Sequence, residues 1–245
     1  MENIECLYHG IENRVQEHIN NEIIQNPFFV DISSGKMSLD AVQWAMGQYY
    51  HFRNNFQRWF GIAIYNASED ESEWGPHVKN LASELAIASE EDKEKLTGEQ
   101  FGHKTHKLYC QDFLRAIGVD PFNVQEPTEA TLHQINWFPQ RYISGGKPLE
   151  VLSALGPGNE LHTGQRYEII YRALNTHYGI PKEDMTFLAM HFEGVEDMHY
   201  EWIKDAILRY LPNGADIVER EAKNSISETA KFWRALHQQD GRKKD

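Results

Sequence analysis

Cysteine is nearly missing from this 245-residue chain, which has only Cys6 and Cys110. Two thiols give no disulfide framework and fit a reducing compartment. No apolar run approaches the roughly 18 residues needed to span a bilayer, so no membrane-spanning helix is expected. Positive charge is also scarce: 24 Lys and Arg stand against 37 Asp and Glu, for a net charge of -13. That balance argues against nucleic acid or an anionic membrane surface as a partner, since either needs a basic patch. The one basic cluster, Arg242-Lys243-Lys244, reads as a solvated C-terminal end. Strand signals are nearly absent as well, with no sustained period-two alternation and no Asn-Gly hairpin between β-branched runs. The opening Met1-Glu2-Asn3-Ile4-Glu5 is acidic and lacks the apolar region of a secretory signal, so a cytoplasmic protein is expected.

What remains is helical periodicity. No repeat or polar linker divides the sequence, and the expectation is one all-α domain over residues 1–245, a bundle of about eight helices. The first runs from about His9 to Gln25 and stops before Pro27. The second starts after Ser38 and carries Ala45, Tyr49, Phe52, Phe56, Phe60 and Ile64 at helical spacing. Further helices are expected over Gly75–Ser89, Gly102–Ile117, Thr128–Ile143 and, briefly, Lys147–Leu155. The pattern is broken by Gly156-Pro157-Gly158, resumes over Asn159–Tyr178, and returns after Pro181 and again over Ala215–His237.

Chemistry enters with Glu196-Asp197-Met198-His199. In the segment from Met185 to Tyr210 the residues Leu188, Phe192, Val195, Trp202, Ile203, Ala206 and Tyr210 form one apolar stripe, and Glu196 and His199 fall on it. A carboxylate on a dry face costs several kcal/mol unless it is paired or binds a metal. Candidate partners lie on other stripes. Glu84 is embedded among Val78, Leu81, Leu85 and Ala88. His106 leads the stripe Tyr109, Phe113 and Ile117, and Glu160 sits in the turn after Gly158. Each alone has an ordinary reading as a satisfied core or boundary residue. Together they offer three Glu and two His from four helices, a donor set suited to iron or manganese in a helical bundle.

These residues resemble the haem-oxygenase-like di-iron oxidases, a family of CADD-like proteins related to pyrroloquinoline-quinone synthase (PqqC) and to TenA. Gln48-Tyr49-Tyr50-His51-Phe52 looks like the family's aromatic stretch, and Asn80-Leu81-Ala82-Ser83-Glu84 resembles its N-L-x-x-E, whose Glu is a ligand. His106 with Leu114-Arg115-Ala116-Ile117-Gly118, and Glu160 ahead of Tyr178-Gly179, resemble the next two ligand positions. Glu196 and His199 match the end of H-x-x-x-D-x-x-H, with Glu for Asp. The first His of that motif falls on Phe192, while His191 is one residue and about 100° away. A π-bulge near Gly194 would turn His191 into the site. The gap between Glu84 and His106 is longer than the family's, which leaves Glu99 as a rival to Glu84.

The resemblance implies a haem-oxygenase-like fold with one or two non-haem irons (or manganese) per chain. It further implies O2 activation on a small amine, amino acid or carboxylic acid. Relatives often form dimers, and an acidic helical surface is compatible with a homodimer. Tyr49, Tyr50, Phe56, Trp59, Tyr167 and Phe192 are candidates for the substrate cavity, although aromatic stripes usually form core. The alternatives on the same scaffold are a metal-free PqqC-like oxidase, a thiaminase-like hydrolase using Cys110 beside His106, and a non-catalytic binding protein.

Overall fold

The computed structural model describes residues 2–67, 69–87, 104–211 and 213–240, and these contain helices and no strand. Helix α1 (Glu2–Ile19) buries Tyr8, Ile11, Val15 and Ile19 along one face and continues into a π turn over Asn20–Ile24. The chain then starts a short helix, α2 (Pro27–Ser33), that the sequence reading did not anticipate. The same proline that ends one helix opens the next: Pro27 sits at the first helical position, where its missing N–H is no loss, and the Asn26 side chain accepts the Phe28 N–H at 3.2 Å.

Helix α3 (Leu39–Asn66) is capped by Ser38, whose hydroxyl accepts the Ala41 N–H at 3.2 Å, and it buries Tyr49, Phe52, Phe56, Trp59 and Phe60. Helix α4 (Glu71–Glu84) begins earlier than its apolar pattern suggests, because Asp70 caps the Ser72 N–H at 2.8 Å. It ends at Glu84 rather than at Ser89, and Ala86 just beyond it takes the left-handed conformation. Helix α5 (His106–Ala116) is capped by Thr105, so His106 is its first residue. Then come α6 (Glu129–Tyr142) and α7 (Pro148–Leu155).

Gly156-Pro157-Gly158 does not break the helical path. It forms a π turn, Gly156–Glu160, that leads directly into α8 (Leu161–Tyr178). Glycine is required there by close packing: a Cβ on Gly156 would lie 2.6 Å from Ile203, and one on Gly158 2.7 Å from Ser225. The segment ending in Glu160 can therefore press against its neighbours. After a 3-10 turn, Lys182–Met185, the expected single helix is in fact three pieces. These are α9 (Thr186–Met190), a π turn over His191–Val195, and α10 (Glu196–Leu208). The long α11 (Ala215–Asp240) packs on α1, α6 and α7, while α4 packs against both α3 and α10.

The core is strongly aromatic. Trp59 stacks on Phe138 with centroids 4.6 Å apart, and Trp233 packs on Phe28, Phe29 and Tyr49. Such rings fill the space between helices and fix their spacing. No helix among the described residues is long and apolar enough to cross a membrane.

Candidate metal centre

Two sets of three metal-binding side chains meet inside the bundle. Glu84, His106 and His191 form one, and Glu160, Glu196 and His199 form the other; within each set the donor atoms lie within 4.8 Å of one another. All six residues are buried, none more than 5 % exposed. They come from the end of α4, the start of α5, the π turns Gly156–Glu160 and His191–Val195, and the first turn of α10. Glu196 and His199 share a face as a Glu-x-x-His pair, the arrangement by which helical bundles present carboxylate and imidazole to di-metal centres. Glu99 lies outside the described residues.

His191 reaches the site through its π turn. Glu193 and Gly194 leave helical geometry, and Gly194 has φ +124°, a conformation that a side chain strongly disfavours. The extra residue rotates His191 inward and Phe192 outward, where Phe192 is half-buried and packs edge-on against Tyr171. His191 Nδ1 lies 2.5 Å from the Phe187 carbonyl. A carbonyl can only accept, so Nδ1 carries the proton and Nε2 keeps its lone pair. That Nε2 is 3.5 Å from Glu196 Oε1, which places Glu196 between the two sets.

In the first set, His106 Nδ1 stands 3.1 Å from Glu84 Oε1 while Arg53 donates to Glu84 Oε2. Arg53 Nη2 also approaches His106 Nδ1 at 3.3 Å. Sequence reading missed Arg53; its position on the buried face of α3, between Tyr49 and Phe56, was the available signal. In the second set, His199 Nδ1 is 3.7 Å from both Glu160 Oε2 and Glu196 Oε2.

The electrostatics are those of charges forced together out of water. Burial alone would raise the Glu84 carboxyl, but the Arg53 guanidinium holds it well below the usual range. Burial, followed by the neighbouring Glu160 charge, pushes Glu196 well above it. His199 is driven up to about 10: burial opposes its charge, and the adjacent carboxylates of Glu160 and Glu196, each 3.7 Å from Nδ1, overcome that opposition. His106 and His191 are both lowered, chiefly by burial.

The donors fit a metal. Glu196 Oε2 and His199 Nε2 are buried without any hydrogen-bond partner, a costly state that coordination or bound solvent would relieve. The donor spacing is one that an ion with bonds of about 2.1 Å closes by small side-chain movements. Two imidazoles with one carboxylate, as in the first set, is the ligation typical of non-haem Fe(II), and no thiolate is present to favour zinc.

A cavity adjoins the two sets, lined by Tyr49, Phe52, Phe56 and Tyr167 on its aromatic side and by Arg53, Asn159, Thr163 and Arg166 on its polar side. About 10 Å³ of it is open, room for a molecule the size of water. Tyr49 and Tyr167 hydrogen-bond to each other through their hydroxyls. Of the six aromatic residues expected to line a cavity, Tyr49, Phe56 and Tyr167 do so and three do not. Tyr50, one residue round the helix from Tyr49, accepts a hydrogen bond from Gln111 at 2.6 Å. Trp59 belongs to the Phe138 stack, and Phe192 is turned away by the π turn. Cys110 is buried off the cavity wall, and burial pushes its thiol up to about 12, the opposite of an activated nucleophile.

A helical bundle that gathers paired carboxylate and histidine sets has the donor arrangement of a metal-binding bundle protein, and comparison with known families points the same way. The chain belongs to the iron-containing redox enzyme family, whose model matches residues 43–234. Comparison with curated protein sequences returns no match. Among solved structures, a CADD-like protein of unknown function from Nostoc punctiforme superposes with a TM-score of 0.77 at 18% identity, covering 98% of this chain and 99% of that one. A TenA homolog from Pseudomonas syringae gives 0.72 at 11% identity, with 95% and 93% covered. A haem-oxygenase-like domain of unknown function from Shewanella denitrificans gives 0.70 at 15%, with 95% and 92% covered. These likenesses establish the haem-oxygenase-like fold.

Proposed function

We propose that this chain is a non-haem iron oxidase or oxygenase that activates O2 on a small organic substrate: an amine, an amino acid or a carboxylic acid. The observation that carries this reading is the convergence of the two three-donor sets, completed by a histidine that only the π turn at His191–Val195 brings inward. Glu84, His106 and His191 would hold one ion, and Glu160, Glu196 and His199 the other. When bound, iron supplies the electrons that reduce O2, and carboxylate donors stabilise its oxidised state. Manganese would suit the same donors.

The protein's own groups set the conditions. Arg53 engages Glu84 Oε2 and leaves Oε1 turned toward His106. The Phe187 carbonyl fixes the His191 tautomer, so its free nitrogen faces Glu196. Phe52, Phe56, Tyr49 and Tyr167 keep bulk water from the polar cluster, which strengthens every charge interaction within it. With so little open space, admission of a substrate requires these side chains to move.

The reading is tested by loading chelator-treated protein anaerobically with Fe(II), admitting O2 and following its consumption. The expected result is uptake above that of free Fe(II), abolished in Glu196→Ala and His199→Ala. Uptake no greater than the free-iron control contradicts it. Metal-independent O2 consumption with an organic acid present would favour the PqqC-like alternative.

A further inference from the structure

Arg166 is a buried charge that, among the described residues, has no opposite charge paired with it. It lies on α8, is 3% exposed and lines the cavity beside the metal-binding side chains. The other charged groups on that wall have partners. Arg53 is paired with Glu84, and Glu160 and Glu196 both face His199. Among the described residues Arg166 has no ion pair. Its one hydrogen bond is from Nη2 to the neutral hydroxyl of Thr163, at 2.5 Å, and its Nε has no partner. An uncompensated buried guanidinium is expensive, and it persists where a ligand supplies the missing anion.

The surroundings hold this guanidinium in place. Thr163 donates its own proton to the Asn159 carbonyl at 2.8 Å, so its oxygen is oriented to accept from Arg166. Asn159 donates in turn to Glu160 at 3.3 Å, which links the arginine to the second donor set. The rings of Phe52 and Phe56 line the same cavity. A planar fork of donors together with aromatic carbon in one cavity matches a small molecule with a carboxylate head and a carbon body.

We propose that Arg166 anchors the carboxylate of the substrate, which makes the substrate an organic acid or amino acid and excludes simple amines. This deepens the proposed function and rests on the cavity being its reaction site. The anchor is a positioning group: it fixes one end of the molecule so that the remainder lies toward Glu196 and His191.

The test is a binding panel, read by ligand-observed NMR on the iron-loaded and the metal-free full chain. It contains straight-chain monocarboxylates from acetate to octanoate, the common amino acids, the matching primary amines and carboxamides, and inorganic phosphate. Binders are expected to carry a carboxylate. Arg166→Gln should weaken them at least tenfold with unchanged circular dichroism and iron content, and Arg166→Lys should recover part of the loss. The proposal is overturned if amines or amides bind as tightly as acids, if phosphate displaces the acids, if no acid binds, or if Arg166→Gln retains full affinity. Should Arg166→Gln fail to fold, the wild-type selectivity and Arg166→Lys still decide. Iron counted in parallel separates the two readings. Bound iron without carboxylate selectivity overturns only the anchor, and carboxylate selectivity without iron overturns only the oxidase.

Discussion

His191 donates its Nδ1–H to the Phe187 carbonyl across 2.5 Å and points its other nitrogen at Glu196, 3.5 Å away. Its neighbour Phe192, which occupies the motif position in sequence, packs on Tyr171 instead. The pair therefore makes opposite predictions. His191→Ala should lower bound iron from about two to about one per chain, since the Glu160, Glu196 and His199 set is untouched. Phe192→Ala should leave the count unchanged. Elemental analysis of both variants checks this, and equal losses would contradict the assignment.

Gly194 makes that turn possible. At φ +124° a Cβ meets no atom within 4 Å, so the cost of Gly194→Ala is conformational rather than steric. We expect a stability loss of about 1–2 kcal/mol by urea denaturation, together with weaker binding at the site His191 completes. A variant as stable as the parent, with full metal, would show that the turn tolerates a side chain.

How much of this could be read from residues alone depended on the kind of signal. The all-α class, the buried faces, and Glu84, His106, Glu196 and His199 were legible because 3.6-residue periodicity marks a polar residue on an apolar stripe, while Glu160 was marked only by its place after Gly158. The haem-oxygenase-like fold came from motif resemblance. The π turns were less legible. Gly194 hinted at one, but whether the chain takes it depends on packing between α8 and α9, which no local pattern encodes. Helix α2 was hidden because Pro27 both ends and begins helices. Arg53 and Arg166 were missed because arginine at a stripe position reads as a snorkelling surface residue until the neighbouring helix is in place.

His77, which is not a proposed ligand although it feels the Glu160 charge, gives the metal-free protein a further pH dependence. It is buried on α4, and burial lowers it to about 4. The unfolded chain protonates this histidine near 6.5, so between those values the unfolded state binds more protons than the folded one. Stability should therefore fall as pH drops from about 6.5 to about 4, with His77 contributing about 3 kcal/mol across that window. Urea denaturation from pH 7 to pH 4.5 should show a shallower decline in His77→Gln than in the parent. Identical slopes would place His77 in contact with water.

Cys110 tests the thiaminase-like alternative. A thiol pushed up to about 12 by burial is un-ionised at neutral pH. Cys110→Ala should keep Fe(II)-dependent O2 uptake within about twofold of the parent and lose stability modestly, since it removes a small buried group. Loss of activity with the fold and metal intact would make Cys110 a participant in the reaction.

The central claim is that two donor sets in one chain hold iron, and the most direct measurement is the metal count. Chelator-treated protein is loaded anaerobically with Fe(II), freed of excess metal and analysed by inductively coupled plasma mass spectrometry. About two irons per chain is the expected result, falling to about one in His199→Ala, which leaves the Glu84, His106 and His191 set intact. No retained iron in the parent, with thermal stability unchanged by added Fe(II), would contradict the claim.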